Sequence, residues 1–119
     1  MRELSFSQHW PKLDNPTFTT FRFSRLDKDW AIGEKVRVVL GARSKQRQAL
    51  FEAEIVGKEP RRLSEWGTED APEVSTQEAR EDGFQDWAGM NMWFWDIYKE
   101  RIEEETLNKL TLRRTLLTS

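Results

Sequence analysis

Apolar and polar residues alternate through Thr17-Phe-Thr-Thr-Phe-Arg-Phe23, and a period of two sets Phe21 and Phe23 on one face with Phe18, Thr20 and Arg22 on the other. β-Branched and aromatic residues favour an extended backbone, and Pro16 is tolerated at the start of a strand. The predicted strand thus has one apolar face and one face that carries chemistry. Such a mixed face either meets solvent at a sheet edge or lines a site. The same alternation predicts strands over Arg2–Ser7, through Leu4 and Phe6, and over Lys35–Leu40, with Val36, Val38 and Leu40 inward and Val39 on the second face. Ala49–Val56 points Phe51, Ala53 and Ile55 inward, and Leu107–Leu117 alternates through Leu110 and Leu112.

Helical signals interrupt the strands. Gln8–Asp14 predicts one or two turns closed by Asn15-Pro16. Ser75 followed by Glu78 is a capping box, with Val74 and Ala79 placed as a hydrophobic staple, and Gly83 is the residue expected to end that helix. In Phe84–Ile102, residues Phe84, Trp87, Asn91, Phe94, Tyr98 and Ile102 share one side, with Gly89 as a break. Trp93 and Trp95 cannot both face the core of one straight helix, so at least one of them is expected either to be covered by the termini or to be exposed as a contact surface. Arg25–Asp29 reads as a loop, Gly33 as a tight turn, and Gly41–Arg47 as a basic hairpin connection. Pro60 is expected to turn the chain out of the sheet over Lys58–Arg62, and Leu63–Glu73 to form an acidic loop with a helical turn near Trp66. This order predicts one α+β domain over 1–119, a small mixed β-barrel with helices packed over one side.

Three stretches in sequence order resemble the ASCH domain of the PUA-like superfamily. They are Ser5–Leu13 with Asn15–Arg22, then Trp30–Leu40, then Val74–Phe84. That family shows Gly-Lys-Lys-Thr-x-Thr-x-Arg, a short loop, Gly-Asp-x-Val, and later a helix leading to Asp/Glu-Gly-Phe. Here Thr20-Phe-Arg22 matches the end of the first signature, Gly33-Glu-Lys-Val36 the second, and Asp82-Gly-Phe84 the third. Asn15, Pro16 and Thr17 stand where the family has Gly-Lys-Lys. The resemblance implies a PUA-like barrel with a cleft between the signature strand and the helices. Some bacterial relatives are amidohydrolases of an acetylated cytidine that use a Lys, a Thr and a Glu, and by position these fall on Thr17, Thr20 and Asp82. With Thr17 in place of the lysine, turnover is not expected.

Composition narrows the chemistry. The chain has no Cys and one His, His9, so thiolate zinc sites, a Cys nucleophile and a His-rich metal site are excluded and no cofactor is expected. Met1–Ser5 lacks the apolar run of a signal peptide and no stretch reaches a membrane span, so the expectation is a cytoplasmic protein without a membrane partner. The net charge of −2 conceals an asymmetry: residues 1–62 carry 13 Lys/Arg against 8 Asp/Glu, and residues 63–119 carry 6 against 13. Phosphate contacts would therefore come from a local patch, for which Arg22, Arg25, Arg43, Lys45 and Arg47 are the candidates.

Three functions follow as expectations. The first is a nucleotide- or RNA-binding module of RNA metabolism. Arg22 is a planar donor fork for phosphate or a base edge, Thr20 a small donor and acceptor, and Asp82 an acceptor for an amino group, with Thr17, Arg25, Arg43 and Lys45 as further contacts. The second is a hydrolase, amidohydrolase or ribonuclease-like, in the same cleft, with Thr20 as nucleophile or water positioner and Asp82 as base. Lys12 or Lys35 would have to supply an amine from elsewhere. The third is a protein-interaction module using an exposed Trp.

Overall fold

The computed structural model describes residues 1–25, 27–42, 45–63 and 71–115, without the side chains of 103 and 104. Five strands, β1 (Arg2–Phe6), β2 (Thr17–Phe23), β3 (Lys35–Leu40), β4 (Gln48–Arg61) and β5 (Leu107–Arg114), form one sheet in the order β1-β3-β4-β5-β2. β1 runs parallel to β3, and every other pairing is antiparallel. The sheet curls into a half-barrel whose edges are β1 and β2. A 3₁₀ turn (Pro11–Asp14) links the two edge strands. Helices α1 (Thr76–Asp82), α2 (Trp87–Tyr98) and α3 (Arg101–Glu104) come between β4 and β5.

Strand alternation divides the apolar residues into two cores. Phe18 of β2 and Leu110 and Leu112 of β5 face into the curl, where they meet Leu4, Phe6, Val36, Val38, Phe51, Ala53 and Ile55. Phe21 and Leu107 point the other way, onto Ala79, Met90, Phe94 and Ile102 of the helices. β2 is thus buried on both faces for part of its length, which places its polar residues between two cores.

Helix α1 starts and stops as its capping chemistry requires. Ser75 Oγ accepts from the Glu78 N–H at 3.1 Å while the Glu78 carboxylate accepts from the Ser75 N–H at 3.1 Å, the reciprocal capping box. Gly83 ends α1 with φ 113, and a Cβ there would stand 2.9 Å from the Trp10 ring. Glu78 also accepts from Lys109 Nζ at 2.7 Å and Arg61 Nε at 2.9 Å, tying α1 to β5 and β4. Burial alone would raise the Glu78 pKa, but these donors outweigh it and hold the carboxyl down at about 2.

Two local expectations are corrected. β4 does not leave the sheet at Lys58–Arg62 but runs to Arg61, with Pro60 opposite Asn108. β3 pairs with β4 only as far as Glu54, so beyond it β4 has an open side on which a missing N–H costs little. Val36, Val38 and Leu40 face the inner core as expected, and Val39 on the second face is fully buried, with the register to β4 shifting between Val38 and Val39. The chain does not break at Gly89, whose N–H donates to the N-cap carboxylate of Asp86 at 2.8 Å. The break falls at Lys99, with φ 52. The turn near Trp66 and the end of the last strand at Leu116 and Leu117 lie outside the described residues.

Candidate functional site

Along the inner face of β2 the side chains change from apolar to polar: Phe18 joins the core, Thr20 follows, and Arg22 comes last. Arg22 is half-buried, and its Nη2 donates to the Ser5 carbonyl at 2.8 Å, bridging the two edge strands across the seam. Its Nε donates to Thr20 Oγ1 at 3.3 Å, and the guanidinium lies 4.7 Å from the centre of the Phe6 ring. Burial lowers the Arg22 pKa, offset in part by Tyr98 and Asp82, although arginine keeps its charge in proteins.

A cleft of about 140 Å³ opens beside these residues. Thr20 and Arg22 line it from β2, Asp82 from the last turn of α1, and Lys12 from the 3₁₀ turn. Lys12 and Asp82 are 7% and 5% exposed, and the ammonium donates to Asp82 Oδ1 at 2.5 Å. Lys12 Nζ also lies 5.4 Å from the Phe6 ring centre and 6.0 Å from that of Trp10.

Burial disfavours the charged form of both partners. It holds the Lys12 amine below its ordinary range and pushes the Asp82 carboxyl up to about 6, with the ion pair opposing both shifts. A proton shared by such a pair can be exchanged with a bound group at near-neutral pH, so the pair suits acid–base chemistry as well as recognition.

The wall opposite the charges is aromatic. Trp10, Phe84 and Trp93 pack edge against face, with ring centres 5.3 Å (Trp10–Phe84), 6.2 Å (Trp10–Trp93) and 5.7 Å (Phe84–Trp93) apart. Tyr98 completes the lining. Gly83 lets Trp10 approach, since any side chain there would displace the ring.

Of the residues expected from the sequence, Thr20, Arg22 and Asp82 meet in this cleft. Thr17 does not. It is exposed and lines a separate depression with Asn15, Phe18, Thr19 and Glu81. Arg25 borders a third depression that shares Arg22 and Tyr98 with the cleft. Lys45 is exposed on the β3–β4 connection and Arg43 lies outside the described residues, while Arg47 pairs with Glu3. Lys35 is exposed on β3 and does not line the cleft.

The cleft's amine, Lys12, was not assigned a role by position in the signature. The one local hint is a lysine set between Trp10 and Leu13 in a turn closed by Pro16. On α2, Trp93 is half-buried against the cleft wall and Trp95 is 38% exposed, as two tryptophans at that spacing require. Among the described residues no cluster of His, Asp and Glu is arranged to hold a metal ion, and no helix is long and apolar enough to cross a membrane.

Comparison of the chain with protein-family models, curated proteins and solved structures finds no match.

Proposed function

We propose that this domain binds the base-bearing end of a nucleotide or of a short single-stranded RNA in the cleft beside β2, as its resemblance to ASCH domains implies. The observation that carries the reading is the convergence of Lys12, Thr20, Arg22 and Asp82 from three separate elements onto one aromatic-walled cleft. Each group matches part of a nucleobase: fixed donors and acceptors for its polar edge, and rings for its π-face. Base–aromatic stacking contributes about 1–3 kcal/mol per base in single-strand binders. A volume of about 140 Å³ is below the ~300–1,000 Å³ of drug-sized sites, so one planar ring system fits and the rest of the ligand extends outside. The test is titration of the four ribonucleosides and their monophosphates, followed by tryptophan fluorescence. Lys12→Met combined with Asp82→Leu, which removes both buried charges together, should abolish binding with the fold retained, and unchanged affinity in that variant refutes the reading.

A second reading, amide hydrolysis, is favoured by the buried Lys12 amine. The objection drawn from Thr17 loses its force, because Lys12 supplies an amine inside the cleft from a different element. In this scheme water or the Thr20 hydroxyl attacks the acyl carbon as the lowered-pKa amine of Lys12 accepts its proton. The C–N bond then breaks as the leaving amine takes the proton back, and where Thr20 was the nucleophile a water, deprotonated by the same group, hydrolyses the acyl–Thr20 ester to the free acid and restores the hydroxyl. Acetate release from an acetylated cytidine that disappears in both Thr20→Val and Lys12→Met supports this scheme. No release above background, together with tight binding, leaves the domain as a binding module.

A further inference from the structure

Next to the cleft is a depression of about 200 Å³ bordered by Arg22, Arg25, Trp30, Tyr98 and Arg101. Arg22 and Tyr98 belong to both, so the two form one continuous surface. Building on the nucleobase reading, we propose that this depression is a phosphate subsite, which makes the ligand a phosphorylated nucleoside or the phosphodiester of an RNA end.

Two independent observations carry this assignment. The first is charge. Three guanidinium groups converge, and the hydrogen bonds of Arg22 go to neutral oxygens, the Ser5 carbonyl and Thr20 Oγ1. Arg25 pairs with Asp27 at 3.4 Å and Arg101 with Glu105 at 2.5 Å, in pairs whose side chains are 41% to 67% exposed. Exposed pairs of this kind hold their partners weakly, so an incoming phosphate competes with them readily. A third carboxylate, Asp29, is already committed to Lys58 Nζ at 2.7 Å and to the Trp30 N–H at 2.9 Å.

The second observation is an unpaired donor. Trp30 lines the depression and is 4% exposed, yet its indole Nε1 has no hydrogen-bond partner among the described residues. A buried donor without an acceptor is costly, and an indole N–H can only donate. Arg25 lies 5.8 Å from the centre of the same ring, and Arg2, itself paired with Glu34, 4.3 Å. A phosphate oxygen would supply the acceptor once the ring, whose N–H is shielded from solvent in the unliganded fold, turns it toward the depression. Arg101 is held over Phe23 at 4.2 Å and Tyr98 at 5.8 Å, a stacked position from which its fork can close on an anion.

The experiment compares nucleosides, their 3′- and 5′-monophosphates, a trinucleotide RNA and inorganic phosphate against the wild type, Arg25→Gln and Arg101→Gln. The expected result is a monophosphate affinity at least about tenfold above that of its nucleoside, equivalent to about 1.4 kcal/mol. Either substitution should erase that advantage and leave the nucleoside affinity within about twofold. A trinucleotide that binds more tightly than the mononucleotide identifies the phosphodiester as the source, and equal affinity identifies the free nucleotide. Equal affinity for nucleoside and monophosphate overturns the subsite and leaves the cleft reading intact. Inorganic phosphate that raises the melting temperature only when Arg25 and Arg101 are present, with no nucleoside binding, supports the subsite and sinks the cleft reading. No response to any of these probes overturns both.

Discussion

Removing one member of the Lys12–Asp82 pair should be far more harmful than removing both. At 2.5 Å and an effective dielectric of about 20, two unit charges attract by about 6–7 kcal/mol. Each side chain is 6% exposed, and taking each charge out of water costs several kcal/mol, so the pair adds little net stability. In Asp82→Leu the orphan amine must either stay charged in the cleft or lose its proton. Deprotonation at pH 7 of a group that ordinarily titrates near 10.4 caps the loss at about 4–5 kcal/mol. In Lys12→Met the orphan carboxyl must take up a proton, with a cap of about 4 kcal/mol for a group that ordinarily titrates near 3.9. The double variant Lys12→Met with Asp82→Leu loses both charges and should fall within about 1 kcal/mol of the wild type or exceed it.

The pH dependence separates charge from packing. The raised Asp82 pKa means that the folded state holds a proton the unfolded chain has released, so stability falls as pH rises between the unfolded and folded values. Lys12→Met should raise the folded value further, and its deficit should be small at pH 5 and large at pH 8. The lowered Lys12 pKa has the opposite sign, since the unfolded chain holds the extra proton, and the Asp82→Leu deficit should shrink from pH 7 to pH 9. Urea unfolding of the four proteins at pH 5, 7 and 9, followed by tryptophan fluorescence and circular dichroism, gives the complete cycle. If the two single losses simply add in the double variant, or neither loss depends on pH, the pair is not an isolated buried ion pair and the reasoning fails.

Three shorter predictions follow from other contacts. Glu78, held at about 2 by Lys109, Ser75 and Arg61, gives stability that is fully present above its unfolded value near 4.5. The wild type should lose up to about 3 kcal/mol through this group between pH 5 and pH 2, and Glu78→Gln should not, as acid titration of the unfolding free energy will show. Gly83→Ala forces a Cβ to within 2.9 Å of Trp10 at φ 113, so a loss of about 1–3 kcal/mol and a shifted Trp10 emission are expected by denaturation and fluorescence. An unchanged emission spectrum would show that Trp10 is not held there. Lys45→Ala should flatten the log–log salt dependence of RNA affinity by about one unit if RNA crosses the β3–β4 connection, and should leave mononucleotide binding unchanged.

Much of the scaffold was legible because it follows from local chemistry. The alternation of Thr17–Phe23, the Ser75–Glu78 box and the left-handed Gly83 each fix a backbone conformation within a few residues. Pro60 misled because the cost of a missing N–H depends on whether a neighbouring strand is present, and β3 ends its pairing at Glu54. The bulge at Val38/Val39 is a property of the β3–β4 pair, and no single strand encodes it. Thr20 and Arg22 are legible in the alternation of β2, whereas Asp82 enters only through the positional resemblance to ASCH domains. Lys12 was left open because it sits on a four-residue turn, and its partner is 70 residues away in sequence. Glu78 announced its cap but not its ion pairs, which form only once β4 and β5 lie beneath α1.

Lys12, Thr20, Asp82 and Asn108 are the polar or charged residues buried below one-tenth exposure among those described, and the first three of these four share the cleft. Stability does not account for that grouping. A half-barrel closed with apolar residues at the same positions would escape the desolvation cost of the ion pair and would need no acceptor for the Thr20 hydroxyl. Arg22 has a structural use, since it joins β1 to β2 across the seam, but a bond to the Ser5 carbonyl requires one donor and a guanidinium carries five. Its Nε is taken by Thr20 Oγ1, and the side chain lines both the cleft and the Arg25–Trp30–Arg101 depression. On the proposed reading, the charge and donors in excess at the seam between β1 and β2 serve a ligand with acceptors to offer. The double variant, expected to be stable but empty, separates the two demands, because it retains the barrel while removing the chemistry.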